Sequence, residues 1–131
     1  MTNLEFPRPL GAYACLLAMV ALTLCGQIAT KWQVSKAGGM PSALSAKVMF
    51  LLNLAFNPWV MGAFFAAFLA SLFWMAALTK LPLNVAYPFT SLTFIGVLVV
   101  SAVVFHEPVH PAKFVGVLFL VLGVVLCSQS W

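Results

Sequence analysis

The chain has 131 residues, of which 64% are hydrophobic and 6% are charged. A soluble domain of this length cannot cover so much apolar surface with so few charges, so the composition excludes a water-soluble globular protein. The formal net charge is +4, but the six basic residues form no run. That scatter argues against nucleic-acid binding and favours contact with anionic lipid.

Four apolar stretches are long enough to cross a bilayer, because one crossing needs about 20 mainly apolar residues per helix. The first stretch is too long for a signal-peptide core, and we expect it to be retained. The connections at 80–84 and 106–111 are short, which predicts antiparallel neighbours in an up-down-up-down bundle. The predicted fold is an all-α, single transmembrane domain over 1–131, with helices at about 10–32, 58–79, 84–105 and 111–129.

The connection between the first two helices is too long for a tight hairpin. It begins with Gly38, Gly39 and Pro41, which are expected to end the first helix. Residues 43–56 are apolar but include a lysine and an asparagine, which predicts a short helix lying in the membrane interface. The alternative is that this segment extends the second membrane helix towards its amino end.

The basic residues do not orient the bundle in the membrane. In the predicted topology four lysines lie on one side, and Arg8, Lys80 and the terminal amine lie on the other. Because the positive-inside rule depends on a clear excess, this balance is compatible with either orientation.

The first helix carries three polar residues, Thr23, Gln27 and Lys31, spaced four apart. This spacing places them on one helix face. A charge at membrane depth is costly and marks a functional face, so we predict a substrate-binding site at which Lys31 meets a lipid phosphate and Gln27 holds other polar groups. The alternative is that Lys31 extends to the headgroups while Gln27 bonds a neighbouring helix.

The third helix begins with a polar stripe that includes a proline. Pro88 removes one backbone hydrogen bond and is expected to kink the helix. A bent helix with a polar stripe is suited to lining a cavity, although serine and threonine can also serve close helix packing. The candidate substrate-binding residues here are Asn84, Tyr87, Thr90 and Ser91.

Two glycines, Gly116 and Gly123, lie seven residues apart and therefore on one side of the fourth helix. Small residues allow helices to approach closely in a membrane. We predict that they form the dimer interface, through which a second copy or a related subunit binds. Ordinary packing within the subunit is the alternative.

Residues 106–110, HEPVH, match the H-E-x-x-H pattern of zinc proteases only formally. That chemistry needs both histidines on one continuous helix, whereas Pro108 and Pro111 predict a turn. We expect Glu107 to complete this turn or to cap the fourth helix, whose first residue would be Pro111. No catalytic set, cofactor motif or metal-type spacing is present, and the cysteines, Cys15, Cys25 and Cys127, lie inside apolar spans, so we expect no enzyme, cofactor or metal site.

Several of these motifs together resemble a known family. The four short helices, the Tyr-Pro of the third helix and the Gly-x6-Gly of the fourth resemble the small multidrug resistance type of the drug/metabolite transporter superfamily, over nearly the whole chain. Within that group the chain is most similar to the undecaprenyl-phosphate aminoarabinose flippase subunits of bacteria. The segments that carry this second likeness are GQIATK at 26–31, LNVAYPFTSLTF at 83–94 and HEPVHP at 106–111.

The resemblance implies a cargo different from that of the drug exporters. Proton-coupled exporters of this type carry an essential glutamate in the middle of the first helix, and Thr23 stands at the corresponding place here. The implied function is an inner-membrane flippase that moves a polyprenyl-phosphate-linked sugar to the periplasmic leaflet for lipid A modification. It implies that Gln27 and Lys31 hold the headgroup, that the polar residues of the third helix line the groove, and that a homodimer or heterodimer forms.

Two other functions stay open from the sequence. A small-molecule exporter of drugs or polyamines would use proton-linked transport, for which the membrane carboxylate is missing. A non-transporting subunit that scaffolds a glycosyltransferase would not need Gln27 or Lys31.

Overall fold

A computed structural model describes residues 10–129 of the chain, so Arg8 and its place in the charge balance lie outside the described residues. The described residues form six helices: α1 (Leu10–Ala37), α2 (Leu44–Ala55), α3 (Pro58–Leu78), α4 (Leu83–Thr90), α5 (Leu92–Val103) and α6 (Pro111–Gln129). α4 and α5 together make one span, so four helices are long and apolar enough to cross a membrane. The all-α prediction with four membrane helices is confirmed.

The long connection folds as a helix of its own. α1 continues to Ala37, five residues beyond the predicted end at 32, and stops where Gly38 takes a φ of +83°. That left-handed conformation suits glycine and ends helices. α2 is separated from α3 at Asn57, whose backbone is extended because it precedes Pro58. The alternative that residues 43–56 extend the second membrane helix is therefore wrong, and the interfacial position of α2 stays a prediction.

α1 packs antiparallel against α3. Near one end Trp32 meets Trp59, with ring centroids 5.6 Å apart. At Gly26 a side-chain Cβ would lie only 3.2 Å from the Ala63 carbonyl oxygen. Because this approach is between backbones, glycine at position 26 is what allows α1 and α3 to come so close. The sequence patterns alone did not indicate this role.

α1 runs parallel to α4 and α5 on its other side. Tyr13 packs on Phe89, with ring centroids 5.3 Å apart. Further along, Leu24 fills the space beside Gly96, where a Cβ would lie 2.6 Å from Leu24 Cδ1. α1 is thus the central helix, with α3 on one side and the α4–α5 helix on the other.

The third membrane helix is interrupted at Ser91, three residues after Pro88, while the predicted kink at Pro88 stays a prediction. Proline lacks the N–H that would bond to the carbonyl of Asn84, and the regular helix stops at Ser91 before α5 begins. The Thr90 hydroxyl donates to Tyr87 O at 2.6 Å, and the Ser91 hydroxyl donates to Pro88 O. These two hydroxyls therefore satisfy carbonyl groups at the interruption itself.

α6 lies at the edge of the bundle, where α4 is its main neighbour. None of its described residues is buried. A Cβ at Gly116 or Gly123 would meet no atom of the described residues within 4 Å. Within the described part of this subunit, no other helix therefore packs closely on these two glycines.

Asn57 joins the carboxyl end of α1 to the start of α3. Its Oδ1 accepts a hydrogen bond from Trp59 N at 3.0 Å, and its Nδ2 donates to Oε1 of the buried Gln33 at 3.4 Å. Asn57→Ala should lower the free energy of unfolding by about 1–2 kcal/mol, because it removes a helix cap and leaves a buried amide oxygen unpaired. Denaturation in detergent micelles, followed by circular dichroism, measures this change.

The exposed Asn53 of α2 provides a matched control. Asn53→Ala should change the free energy of unfolding by no more than about 0.5 kcal/mol, as is usual for surface substitutions. Equal losses for the two variants would contradict the assigned role of Asn57.

Candidate functional site

A groove between α1 and α3 brings the polar face of α1 together. Its cavity has a volume of about 520 Å³, and Thr23, Gln27 and Lys31 all line it. The prediction that these three residues share one face is confirmed, while their role in binding stays a prediction. The opposite wall is apolar and is formed by Ala63, Phe64 and Ala67 of α3.

The polar groups of this face differ in what they can offer a ligand. The Thr23 hydroxyl donates to Met19 O at 2.8 Å, and the Thr30 hydroxyl donates to Gly26 O at 2.8 Å. Both hydroxyl protons are thus engaged within α1. The exposed Gln27 amide and the Lys31 ammonium are consequently the main hydrogen-bond donors that this wall presents to a ligand.

Lys31 forms an ion pair with Glu107, which lies in the connection between α5 and α6. The Lys31 Nζ to Glu107 Oε1 distance is 3.1 Å, and the two side chains are 52% and 41% exposed. The hydrogen bond and charge of Lys31 lower the pKa of Glu107, and the Ser101 side chain and Lys113 lower it further. The carboxylate is therefore ionised at neutral pH, and this pair joins the carboxyl end of α1 to the α5–α6 connection.

The predicted roles of Glu107 are only partly correct. Its backbone N–H does complete the turn, donating to Ser101 O at 3.0 Å. The helix cap is supplied instead by His110, whose Nδ1 accepts from Ala112 N at 3.3 Å. α6 begins at Pro111 as predicted, and the HEPVH residues are not helical, in agreement with the turn predicted from the prolines.

A second cavity lies on the other side of the Gln27–Lys31 face. It has a volume of about 250 Å³, and both Gln27 and Lys31 line it together with Glu107 and Ser101. The remaining walls come from apolar residues of α1, α5 and the following turn: Ile28, Val97, Val100 and Phe105. Gln27 and Lys31 therefore stand between two cavities, one facing α3 and one facing α5.

The groove also continues towards the other end of α1. Thr23 lines a further cavity of about 190 Å³ with Ser71 and Trp74 of α3. Trp74 in turn contacts Tyr87, with ring centroids 5.4 Å apart. Cavities therefore follow α1 from Lys31 as far as Ser71 and Trp74 of α3, and the ring contact of Trp74 leads on to Tyr87.

The candidate residues of the third helix do not all meet Gln27 and Lys31. Phe89 of α4 is level with Tyr13 of α1, and Gln27 lies fourteen residues beyond Tyr13, a distance of about 21 Å along a helix. Asn84 and Tyr87 are exposed near that far end, and Tyr87 approaches the groove only through Trp74.

Pro88 and Ser91 instead line a shallow cavity with Gly116 and Gly123 of α6. This cavity has a volume of about 360 Å³. Ser91 therefore lies beside the predicted dimer interface and not beside Gln27 or Lys31. The binding role of Ser91 and the pairing role of the two glycines stay predictions.

Sequence reasoning missed the partnership of Lys31 with Glu107 and the apolar wall on α3. The topology places both residues towards the same end, since the first and third membrane helices run in the same direction, but it does not show that the two helices are neighbours. The buried face of α3 to which Ala63 belongs had a signal in its small residues, because Ala63, Ala70 and Ala77 recur every seven positions and are all buried. Such spacing is typical of a closely packed face.

Comparison with curated proteins identifies the family. A protein of Pseudomonas fluorescens (strain Pf0-1), named "Probable 4-amino-4-deoxy-L-arabinose-phosphoundecaprenol flippase subunit ArnE", is 36% identical over 115 residues, covering 88% of this chain and 95% of the relative. A protein of Aeromonas salmonicida (strain A449) with the corresponding ArnF name is 35% identical over 116 residues, covering 87% of this chain and 76% of the relative. The chain belongs to the ArnE/ArnF family of flippase subunits.

The likeness extends across the family. An ArnE protein of Proteus mirabilis (strain HI4320) is 31% identical over 119 residues, covering 91% of this chain and 98% of the relative. No protein-family model and no solved structure matches the chain. The family resemblance drawn from the sequence motifs is confirmed, and with four membrane helices the chain is a multi-pass membrane protein of the flippase type.

Proposed function

We propose that this chain is one subunit of a bacterial inner-membrane flippase that moves undecaprenyl-phosphate-linked 4-amino-4-deoxyarabinose from the cytoplasmic to the periplasmic leaflet, for lipid A modification. The ArnE and ArnF names of its relatives support this substrate. The observation that carries the proposal is the meeting of Gln27 and Lys31 on an open groove, within a helix long and apolar enough to cross a membrane and opposite an apolar wall of α3. Transport, and not covalent chemistry, is the activity that such a groove favours.

The physical problem for such a protein is the charged headgroup. A phosphate and a sugar cannot enter the hydrocarbon core without losing the hydrogen bonds that water provides, which is costly. The groove offers replacement partners in the Lys31 ammonium, the Gln27 amide and the hydroxyl oxygens of Thr23 and Thr30, which can still accept hydrogen bonds. Because the groove is open on one side, the polyprenyl tail can stay in lipid while the headgroup moves.

Lys31 and Gln27 have separate roles in this proposal. The Lys31 ammonium binds the phosphate, since hydrogen bonds between charged groups are shorter and stronger than neutral ones. Gln27 lies one turn deeper and offers both donor and acceptor atoms to the sugar hydroxyls. Consumption of the lipid-linked sugar in the far leaflet drives net transport in this proposal.

A related four-helix subunit completes the flippase. The names of the relatives describe subunits, and ArnE and ArnF proteins both match this chain. A Cβ added at Gly116 or Gly123 of α6 would meet no atom of the described residues within 4 Å, which leaves space for a partner helix. We propose that the partner packs on this face.

The rival functions are less well supported. A proton-coupled drug exporter needs a carboxylate within the membrane, whereas the described membrane spans contain no Asp or Glu and Thr23 stands in the groove. A scaffolding subunit for a glycosyltransferase would not require polar residues to meet on a cavity. Neither rival accounts for the Gln27–Lys31 face.

The test is leaflet exchange in reconstituted vesicles. Labelled polyprenyl-phosphate 4-amino-4-deoxyarabinose is added to vesicles that contain this chain alone, this chain with an ArnE- or ArnF-type partner, or no protein. We expect protein-dependent exchange, with the highest rate for the pair. Exchange equal to that of empty vesicles in both protein-containing samples would contradict the proposal.

A further inference from the structure

We propose that Glu107 makes the flippase selective for an amino sugar, by binding the ammonium group of the headgroup while Lys31 binds its phosphate. The inference rests on the function proposed above and assigns a specificity-determining residue to the same site. It depends on the second cavity, where Glu107, Lys31 and Gln27 meet.

The ion pair between Lys31 and Glu107 is suited to exchange. At 3.1 Å the two groups are in contact, yet both side chains are about half exposed, at 52% and 41%. Exposed ion pairs contribute little net free energy, so a ligand with matching charges can replace the internal partners at small cost. The ligand then makes two ion pairs in place of one.

The headgroup named for the relatives has the required charges. A sugar that carries a 4-amino group and is linked through phosphate holds one cationic ammonium and one anionic phosphodiester at neutral pH. The cavity beside the pair measures about 250 Å³, and a water molecule occupies about 30 Å³, so there is space on the scale of one sugar ring. Gln27 lies in the same wall to hold its hydroxyls.

Glu107 also disfavours the wrong headgroup. A phosphate-linked sugar without an amine would bind Lys31 and displace the Glu107 carboxylate, which would then lie unpaired beside the phosphate. A carboxylate and a phosphate that lie side by side repel each other, and repulsion of a competitor is an effective source of specificity. Lys113 adds positive charge near Glu107 but lies outside the residues that line this cavity.

The experiment measures binding to the purified chain in detergent. The two probes are a short-chain polyprenyl phosphate carrying 4-amino-4-deoxyarabinose and the same lipid with the amine acetylated, which removes its positive charge. We expect the wild-type chain to bind the amino probe about tenfold more tightly. Glu107→Gln should bring the ratio of the two dissociation constants close to one, and Glu107→Asp should retain part of it.

The possible outcomes separate this inference from the function on which it rests. Equal binding of both probes by the wild type, or an unchanged ratio in Glu107→Gln, would overturn the role of Glu107 even if leaflet exchange is observed. If the wild type binds neither probe, the role of Glu107 is also overturned. If leaflet exchange is absent in addition, the proposed function is overturned too. Circular dichroism checks that the exposed substitution leaves the helices intact.

Discussion

Lys31→Ala is expected to lower the initial rate of leaflet exchange by about tenfold to a hundredfold, since a hydrogen bond to a charged group contributes about 1.5–3 kcal/mol. The substitution removes the cation that faces the groove. It also leaves the Glu107 carboxylate without its partner at 3.1 Å, so that the remaining negative charge repels an incoming phosphate. Vesicle exchange of the labelled amino-sugar lipid measures the effect.

Lys36 provides a matched control on the same helix. Its Nζ lies 3.6 Å from the centre of the Trp32 ring and outside the residues that line the α1–α3 groove. Lys36→Ala should therefore exchange the lipid at close to the wild-type rate, and Lys31→Arg should retain much of the activity because it keeps the charge. Wild-type exchange by Lys31→Ala would show that the phosphate does not bind at Lys31.

Gly26→Leu is expected to have the largest effect on stability. A Cβ at position 26 would lie 3.2 Å from the Ala63 carbonyl oxygen, and backbone cannot move aside as a side-chain tip can. Overpacking of a closely packed contact costs about 1–3 kcal/mol. The leucine side chain should also push α1 and α3 apart, which widens the groove and reduces leaflet exchange. Unfolding in detergent measures the loss of stability.

Gly62 is the appropriate control because it lies next to Ala63 on α3, yet a Cβ there would meet no atom of the described residues within 4 Å. Gly62→Leu should leave the free energy of unfolding unchanged or raise it slightly, because glycine is a poor helix former. If the two leucine variants unfold alike, the α1–α3 contact does not depend on Gly26.

The sequence was sufficient to predict the membrane helices and the polar face of α1. Both follow from local rules, since apolar length predicts a span and a spacing of four places Thr23, Gln27 and Lys31 on one face. Pro88 also has a local effect, because its missing backbone N–H removes one helical hydrogen bond, and the helix is interrupted three residues further on, at Ser91. Local chemistry likewise explains why α1 stops at Gly38.

The contacts between distant parts of the chain could not be predicted in the same way. Lys31 and Glu107 are far apart in sequence, and only the packing of α1 beside α5 brings them within 3.1 Å. Nothing in the local sequence separates Gly26, which touches backbone, from Gly62, which is open. The polar residues of α4 share a helix face, but the face alone does not reveal that Asn84 and Tyr87 lie near the opposite end of α1 from Lys31.

The entry of the lipid-linked substrate between α1 and α3 is the central claim, and photocrosslinking tests it most directly. Phe64 lines the α1–α3 groove, while Phe114 lies on α6, and the two side chains are similarly exposed at 58% and 64%. A photoreactive phenylalanine analogue at each position, with a radiolabelled polyprenyl-phosphate 4-amino-4-deoxyarabinose as the probe, reports which surface the lipid meets as it enters. We predict labelling at position 64 that unlabelled lipid suppresses, and little at position 114. Equal labelling at both positions, or stronger labelling at position 114, would contradict the proposal that the substrate enters between α1 and α3.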